Sequence, residues 1–274
     1  AVVMSLTIRV IPTLLWAEGY IVQTKRFQIV NRLHGDMVEA ARTLGVPDAD
    51  EVILLDISRT PDHQNDFRRQ LRRMSDEFDV PLTAGGWVRK VDDVQALLDR
   101  GADKVVVNTA ALGIGPAIAQ RYGSQVLVAS IDICNSPRFA FGPAVAFDRG
   151  RNEQRLSAYA HALYMAQDGG AGELLLNHLD YDGTGGGYAL KVFAQIARLV
   201  DVPVVFFGGV RAWENLVEGA IAGASGVAAA NVFHYRENSV RDAKSHMARH
   251  GINVRPLLDR RLESEAEARE PVKT

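Results

Sequence analysis

One stretch restricts what this chain can fold into more than any other, and it occurs twice. VPLTAGGWVR at 80–89 returns as VPVVFFGGVR at 202–211, and the flanking segments keep the same separation, 202 − 80 = 122 residues. At that offset Gly101-Ala102 falls on Gly223-Ala224, and ADEVILLDIS (49–58) falls on AGELLLNHLD (171–180), which sets Glu51 over Glu173. Repeats that stack into solenoids have periods of roughly 20–50 residues. This repeat is too long for that and marks two similar halves. Each copy reads as an apolar strand, a Gly-Gly turn, an amphipathic helix and a second strand.

Eight apolar runs, near 6–12, 51–57, 81–85, 103–107, 125–132, 173–178, 203–207 and 226–230, alternate with helical patterns. The helices are expected near 36–45, 63–78, 91–100, 110–122, 153–169, 187–199, 213–223 and 237–250. VILLD, KVVVN, LVASID and ELLLN are apolar almost throughout, which marks strands covered on both faces. Strict alternation with right-handed crossovers leaves a closed barrel or an open sheet. Eight units and a half-length repeat select an α/β fold, the (βα)8 TIM barrel built from two half-barrels. The chain of 274 residues accommodates it, since such barrels typically take ~250. Residues 1–257 are expected to form this one barrel, and the charged segment 258–274 a solvated tail. Long insertions follow strand 1 (14–36) and strand 5 (134–154), and loops of that length are usually lids or binding loops.

Composition excludes several function classes. An apolar share of 47% and a charged share of 23% are ordinary for a soluble globular protein. A net charge of −2 argues against nucleic acid or an anionic membrane as partner. No uncharged apolar run reaches the ~18 residues of a membrane span, and the first residues lack the layout of a signal peptide. A single cysteine, Cys134, excludes an internal disulfide framework and fits a reducing compartment, so a cytoplasmic location is expected. The seven histidines show no metal-ligand spacing. No metal and no cofactor is therefore expected. His178, at a strand end, is expected to line the site as a polar residue; His234 and Cys134 are expected to be structural.

Active sites of such barrels lie at the C-terminal ends of the strands. Asp56, Asn108, Asp132, Asn177, His178, Asp180 and Asp182 all fall there. Asp132, Asp180 and Asp182 could supply general acid–base chemistry, or could cap helices and hold loops, and Asp182-Gly183 is also a turn signal. The duplicated Gly-Gly turns bring bare N–H groups toward a helix N-terminus, which makes an anion cradle. Two cradles imply a ligand with a phosphate at each end; the same glycines would also serve as tight turns alone.

Several pieces together resemble a known family. RVIP (9–12), ADEVILLDI (49–57), VPLTAGG (80–86), GADKVVVNTAA (101–111), YGSQ followed by SID (122–132), GAGELLLNHLDYDGTGGGY (170–188) and NVFHY (231–235) are similar to the cyclase subunit of imidazole glycerol phosphate synthase. The resemblance runs in order from about residue 7 to 257. It implies a lyase-type synthase subunit without a cofactor. Such a subunit takes ammonia from a glutaminase docked on the N-terminal barrel face, passes it through the barrel and uses it on a phosphorylated small molecule at the opposite face. Residue by residue, it places an ammonia gate at Arg9, Glu51, Lys104 and Glu173. It assigns catalysis to Asp132 and Asp182, and substrate or phosphate binding to Gly86, Asn108, Asn177, Gly183, Thr184, Gly208 and Gly209.

The match departs at the substrate face. The family's strand-1 aspartate falls on Leu15 and a loop lysine on Gln23; Phe207 and Trp87 stand in the two phosphate turns. Losing a positioned acid–base group typically costs ~10²–10⁴ in rate. The resemblance therefore implies a paralog that kept the ammonia side and changed its acceptor. Relatives in surface-polysaccharide loci, which build acetamidino sugars with their own glutaminase-like subunit, also carry leucine there. An active cyclase of histidine biosynthesis, and a non-catalytic barrel that docks and activates a glutaminase, remain open alternatives.

Overall fold

The computed structural model describes residues 6–26, 28–135, 144–148, 153–235 and 239–257; the expected tail at 258–274 lies outside them. In chain order the strands are β1 (Arg9–Ala17), β2 (Tyr20–Lys25), β3 (Gln28–Arg32), β4 (Val52–Asp56), β5 (Leu82–Gly85), β6 (Lys104–Val107), β7 (Leu127–Asn135), β8 (Ala144–Asp148), β9 (Glu153–Ser157), β10 (Glu173–His178), β11 (Val204–Phe207) and β12 (Gly226–Ala229). The α-helices are α1 (Met37–Leu44), α2 (Gln64–Glu77), α3 (Val91–Leu98), α4 (Ala111–Tyr122), α5 (Ala158–Gln167), α6 (Leu190–Leu199), α7 (Trp213–Ile221) and α8 (Ser239–Arg249). Eight strands pair in parallel in the order β1, β4, β5, β6, β7, β10, β11, β12, and β12 returns to β1. The result is a (βα)8 barrel.

Strand alternation divides the apolar side chains into two cores. Ile11, Leu15, Ile53, Val106, Val128, Leu175, Val205, Phe207 and Ala228 point into the barrel. Their neighbours, such as Val10, Leu14, Val52, Leu54, Val105, Leu174 and Phe206, point outward under the helices. Runs such as VILLD are apolar on both faces because both faces are buried.

The duplication survives in the elements themselves. Adding 122 to β5 (82–85), α3 (91–98) and β6 (104–107) gives 204–207, 213–220 and 226–229. Those are the bounds of β11 and β12, and of α7 to within one residue. The caps repeat as well. Asp93 Oδ2 accepts from the N–H groups of Arg89 and Lys90, and Asn215 Oδ1 accepts from those of Arg211 and Ala212. Gly101 and Gly223, which end the two helices, both have left-handed φ (+94° and +107°), a conformation that only glycine adopts without strain.

Three sequence expectations change. Strand 1 runs to Ala17, well past Pro12, because pairing passes from β12 (Arg9–Pro12) to β4 (Thr13–Trp16). The segment that follows is an antiparallel hairpin, β2–β3, continuing from β1 through the Trp16–Ile21 pair. In the strand-5 insertion β8 and β9 also pair antiparallel, so helix α5 begins at Ala158 and not near 153.

Candidate functional site

At the N-terminal ends of the strands the four residues expected at the gate converge. Lys104 Nζ lies 2.9 Å from Glu51 Oε2 and 2.8 Å from Glu173 Oε2, and Arg9 bonds both glutamates with its two terminal nitrogens. The ring alternates in charge, and each cation touches both acids. Gly226 lies beside the ring, and a Cβ there would crowd the inward Ile11 side chain at 2.9 Å. Burial would raise the Glu51 carboxyl, but the charges of Lys104 and Arg9 and the Thr83 hydroxyl (2.5 Å) hold it below the usual value. Burial would likewise lower Arg9; its bond to Glu173 and the two carboxylate charges hold it above. Such a ring keeps buried charge tolerable because each member is paired. Thr83, one step inside the barrel, was not singled out from sequence, though it is the polar inward position of its strand.

At the opposite end, alternation brings Asn108, Asp132 and Asn177 to one level. Asp132 and Asn177 are register partners on β7 and β10. Asn108 Nδ2 donates to Asp132 Oδ2 at 2.9 Å, and Asn177 Nδ2 to Oδ1 at 3.3 Å. Both carboxylate oxygens are thus held, and Asp132 is only 4% exposed. Asn177 Oδ1 is buried without a partner among the described residues, an acceptor left for something else.

The rest of that level is apolar. Leu15, 4% exposed, pairs in register with Leu55 and packs with Ala17, Val22, Phe207 and Ala230. Val22 comes from the hairpin, so β2 lies over the mouth. Its docking is specific: the Thr24 hydroxyl donates to Asp182 Oδ1 (3.2 Å), Arg26 N–H to the Asp182 carbonyl (2.9 Å), and Asn231 Nδ2 to the Thr24 carbonyl (3.1 Å). Gly183 has φ +63°, and a Cβ there would stand 1.9 Å from the Thr24 oxygen. Gln23, buried, is held by Asn31 Nδ2 at 2.9 Å. The sequence carries no signal for Thr24 or Asn231: IVQT runs two apolar residues into two polar ones, without the alternation of a half-buried strand.

The glycine turns sit alike. Gly86 and Gly208 have φ of +117° and +90°, and Trp87 keeps the left-handed φ (+58°) of its repeat mate Gly209 (+81°). The sequence places each turn at a helix N-terminus, and the structure does not: α3 starts only at Val91 and α7 at Trp213, and each N-terminus is already capped from within. A Cβ at Gly208 would meet Asn177 Oδ1 at 2.5 Å, so this turn lies directly on the Asp132–Asn177 pair. Thr184 is exposed and its hydroxyl is used locally, donating to the Tyr181 carbonyl (2.8 Å).

Three candidates leave the site. His178 is not a lining residue: as the neighbour of inward Asn177 it points outward, edge-on to Tyr181 at 4.8 Å, and burial lowers its pKa although Asp180 opposes the shift. Asp180 accepts from Asn135 N–H (3.0 Å) and holds a loop. Asp56 also points outward; burial raises its carboxyl despite two hydrogen bonds from Ser58.

Comparisons with known proteins agree with this architecture. The family described as "Histidine biosynthesis protein" matches residues 9–239. Proteins named imidazole glycerol phosphate synthase subunit HisF from Leifsonia xyli and from a Nocardioides strain are each 41% identical to this chain. The one from Thermobifida fusca is 38% identical. Each comparison covers 92% of this chain and the whole of the relative. With the barrel, the repeat and this full-length similarity together, the chain belongs to the histidine biosynthesis protein family and resembles the cyclase subunits of imidazole glycerol phosphate synthase.

Proposed function

We propose that this chain is the ammonia-using synthase subunit of a glutamine amidotransferase pair, acting on an acceptor other than the histidine-pathway intermediate. One observation carries the reading: Leu15 is sealed into an apolar cluster at the level of Asp132, where the family expects a second carboxylate. Ammonia from a glutaminase on the N-terminal face passes the Arg9–Glu51–Lys104–Glu173 ring and the apolar interior. It adds through its lone pair to a carbonyl-type carbon of the acceptor as the carbon–oxygen double bond opens onto oxygen; the two protons that the nitrogen sheds pass by way of Asp132 to that oxygen, which leaves as water. The Asn108 and Asn177 amides orient that carboxylate. Asp182 positions the hairpin through Thr24, and Gly86, Gly183, Gly208 and Gly209, with Asn108 and Thr184, border the phosphates of the acceptor. Amidine formation on a polysaccharide sugar is a reaction of this class.

An active histidine-pathway cyclase is the second reading, favoured by the full-length 38–41% identity to subunits of that name. Expression in a strain lacking its histidine cyclase separates the two. Failure to restore growth is expected; growth without added histidine overturns the proposal. The ammonia route has its own test. Lys104→Ala leaves Glu51 and Glu173 with Arg9 alone, so glutamine-dependent turnover with the partner should fall at least tenfold, while turnover with ammonium salt persists. Equal losses with both nitrogen sources would assign Lys104 to barrel stability alone.

A further inference from the structure

Beside the second glycine turn is a cavity of about 370 Å³ lined by Arg211, Ala212, Trp213, Glu214, Val232 and Tyr235. Its size is at the lower end of small-molecule sites, roughly 300–1,000 Å³. The Arg211 stem lies across Gly185, with carbons 3.2–3.5 Å from where a Cβ would stand. Among the described residues its guanidinium makes no hydrogen bond or ion pair; only its backbone N–H is used, by Asn215. Trp213 is backed by Phe233 with ring centroids 5.5 Å apart. Tyr235 is 72% exposed. Glu214 Oε1 is 3.5 Å from His246 Nε2.

The duplication supplies an internal comparison. The mate of Arg211 is Arg89 (89 + 122 = 211). Arg89 is occupied, stacked over the Trp87 ring at 4.6 Å. The mate of Trp87 is Gly209, so the second half has no such ring, and its arginine is left to the cavity.

We propose that this cavity binds the nucleotide part of the acceptor, which deepens the reading above and rests on it for the word acceptor. A guanidinium fork matches a phosphate in two-point hydrogen bonding. Indole and phenol faces suit a stacked base, and the Glu214 carboxylate suits ribose hydroxyls or a base amine as donors. A bare phosphate would leave most of the volume and both rings unused. A wholly apolar ligand would strip water from an unpaired cation, which is costly.

The test is equilibrium binding to the full chain by calorimetry and tryptophan fluorescence, and it requires no turnover. UDP and ADP serve as probes, with ribose 5-phosphate and inorganic phosphate as controls. At least one nucleotide should bind about tenfold tighter than ribose 5-phosphate, the difference a stacked base supplies. Arg211→Ala should weaken it about tenfold or more and Arg211→Lys less, as loss of a charge-assisted fork implies. Arg89→Ala should leave it unchanged, and Trp213→Phe should abolish the fluorescence response while largely keeping affinity. Nucleotides binding no tighter than inorganic phosphate, or equal losses from Arg89→Ala and Arg211→Ala, would overturn the inference. Ammonia-dependent turnover of a phosphate ester lacking a base, with no nucleotide bound, would overturn it too and leave the amidotransferase reading intact. Nucleotide binding by a chain that turns over no acceptor, with ammonium salt or with glutamine and a glutaminase, would uphold the cavity and sink that reading instead.

Discussion

Asp132 is only as well placed as the two amides that hold it, and Leu15 shows what the same level looks like without them. Leu15→Asp would set a carboxylate against Val22, Phe207 and Ala230, where no described side chain donates to it. It should lower unfolding free energy in urea by about 2 kcal/mol or more, as burial of an unpaired polar group costs. It should not create cyclase activity. Unchanged stability would mean that the mouth is wetter or looser than described. Trp87 and Gly209 give a second contrast, because both have left-handed φ on equivalent backbone. Trp87→Gly exchanges about 1 kcal/mol of backbone strain for a cation–π stack of similar size, so stability should hardly move. Gly209→Ala puts a Cβ 2.1 Å from the Gly187 carbonyl. It should destabilise by about 2 kcal/mol or more, the range of overpacked sites. The paired unfolding curves decide whether the difference lies in surroundings or in backbone.

Among the elements, what the sequence made legible followed the repeat. The bounds of β5, α3 and β6 and of their copies are close to those the sequence implies, because two independent segments carry the same pattern. Those of the elements without a copy are not. Pro12 looks like the end of strand 1, yet it falls where the strand changes partner, so TLLWA continues as strand. In sequence the hairpin β2–β3 has the look of a loop, because its polar positions, Gln23 and Thr24, are buried by contacts that only the folded mouth provides. The pairing of Asp132 with Asn108 and Asn177 follows from strand parity and could have been drawn from the sequence. The hairpin's docking gives a prediction of its own. Thr24→Val removes one buried hydrogen bond, about 1 kcal/mol, and Gly183→Ala blocks the approach outright. Amide exchange across 20–32 should accelerate modestly in the first variant and strongly in the second, with barrel strands unaffected. Equal protection in wild type and Gly183→Ala would show that Asp182 and Thr24 do not hold the hairpin.

For the molecule as a whole, pH reaches stability first through histidine. His161, on α5, is buried with neither ring nitrogen partnered among the described residues, and burial pushes its pKa down to about 4. His234 is pushed to about 4 by burial and, secondarily, by the charge of His34. Both groups are folded as neutral rings and charge more readily when unfolded. Stability is therefore full above pH 6.5 and is lost as pH falls from there toward 4. Each histidine contributes up to about 3 kcal/mol, the energy of a shift of roughly two units. Glu51, held below 4.5, adds its loss only at lower pH. Urea midpoints between pH 7 and 4.5 should fall steeply, and His161→Leu should flatten the curve. An unchanged slope in that variant would place the sensitivity elsewhere.

The two halves share a backbone but not its contents. Where one has Trp87, Lys104 and Asn108, the other has Gly209, Gly226 and Ala230 at the same offset of 122. A perfectly twofold cage would accept a two-ended molecule in either direction and could not tell its head from its tail. Each mismatched pair removes part of that degeneracy. The exchanges at the level of Asp132 and in the glycine turns impose handedness on the mouth, and the Lys104–Gly226 exchange does so separately at the opposite rim. A ligand lying across this mouth therefore has a single reading direction, set by substitutions that left the barrel's geometry alone.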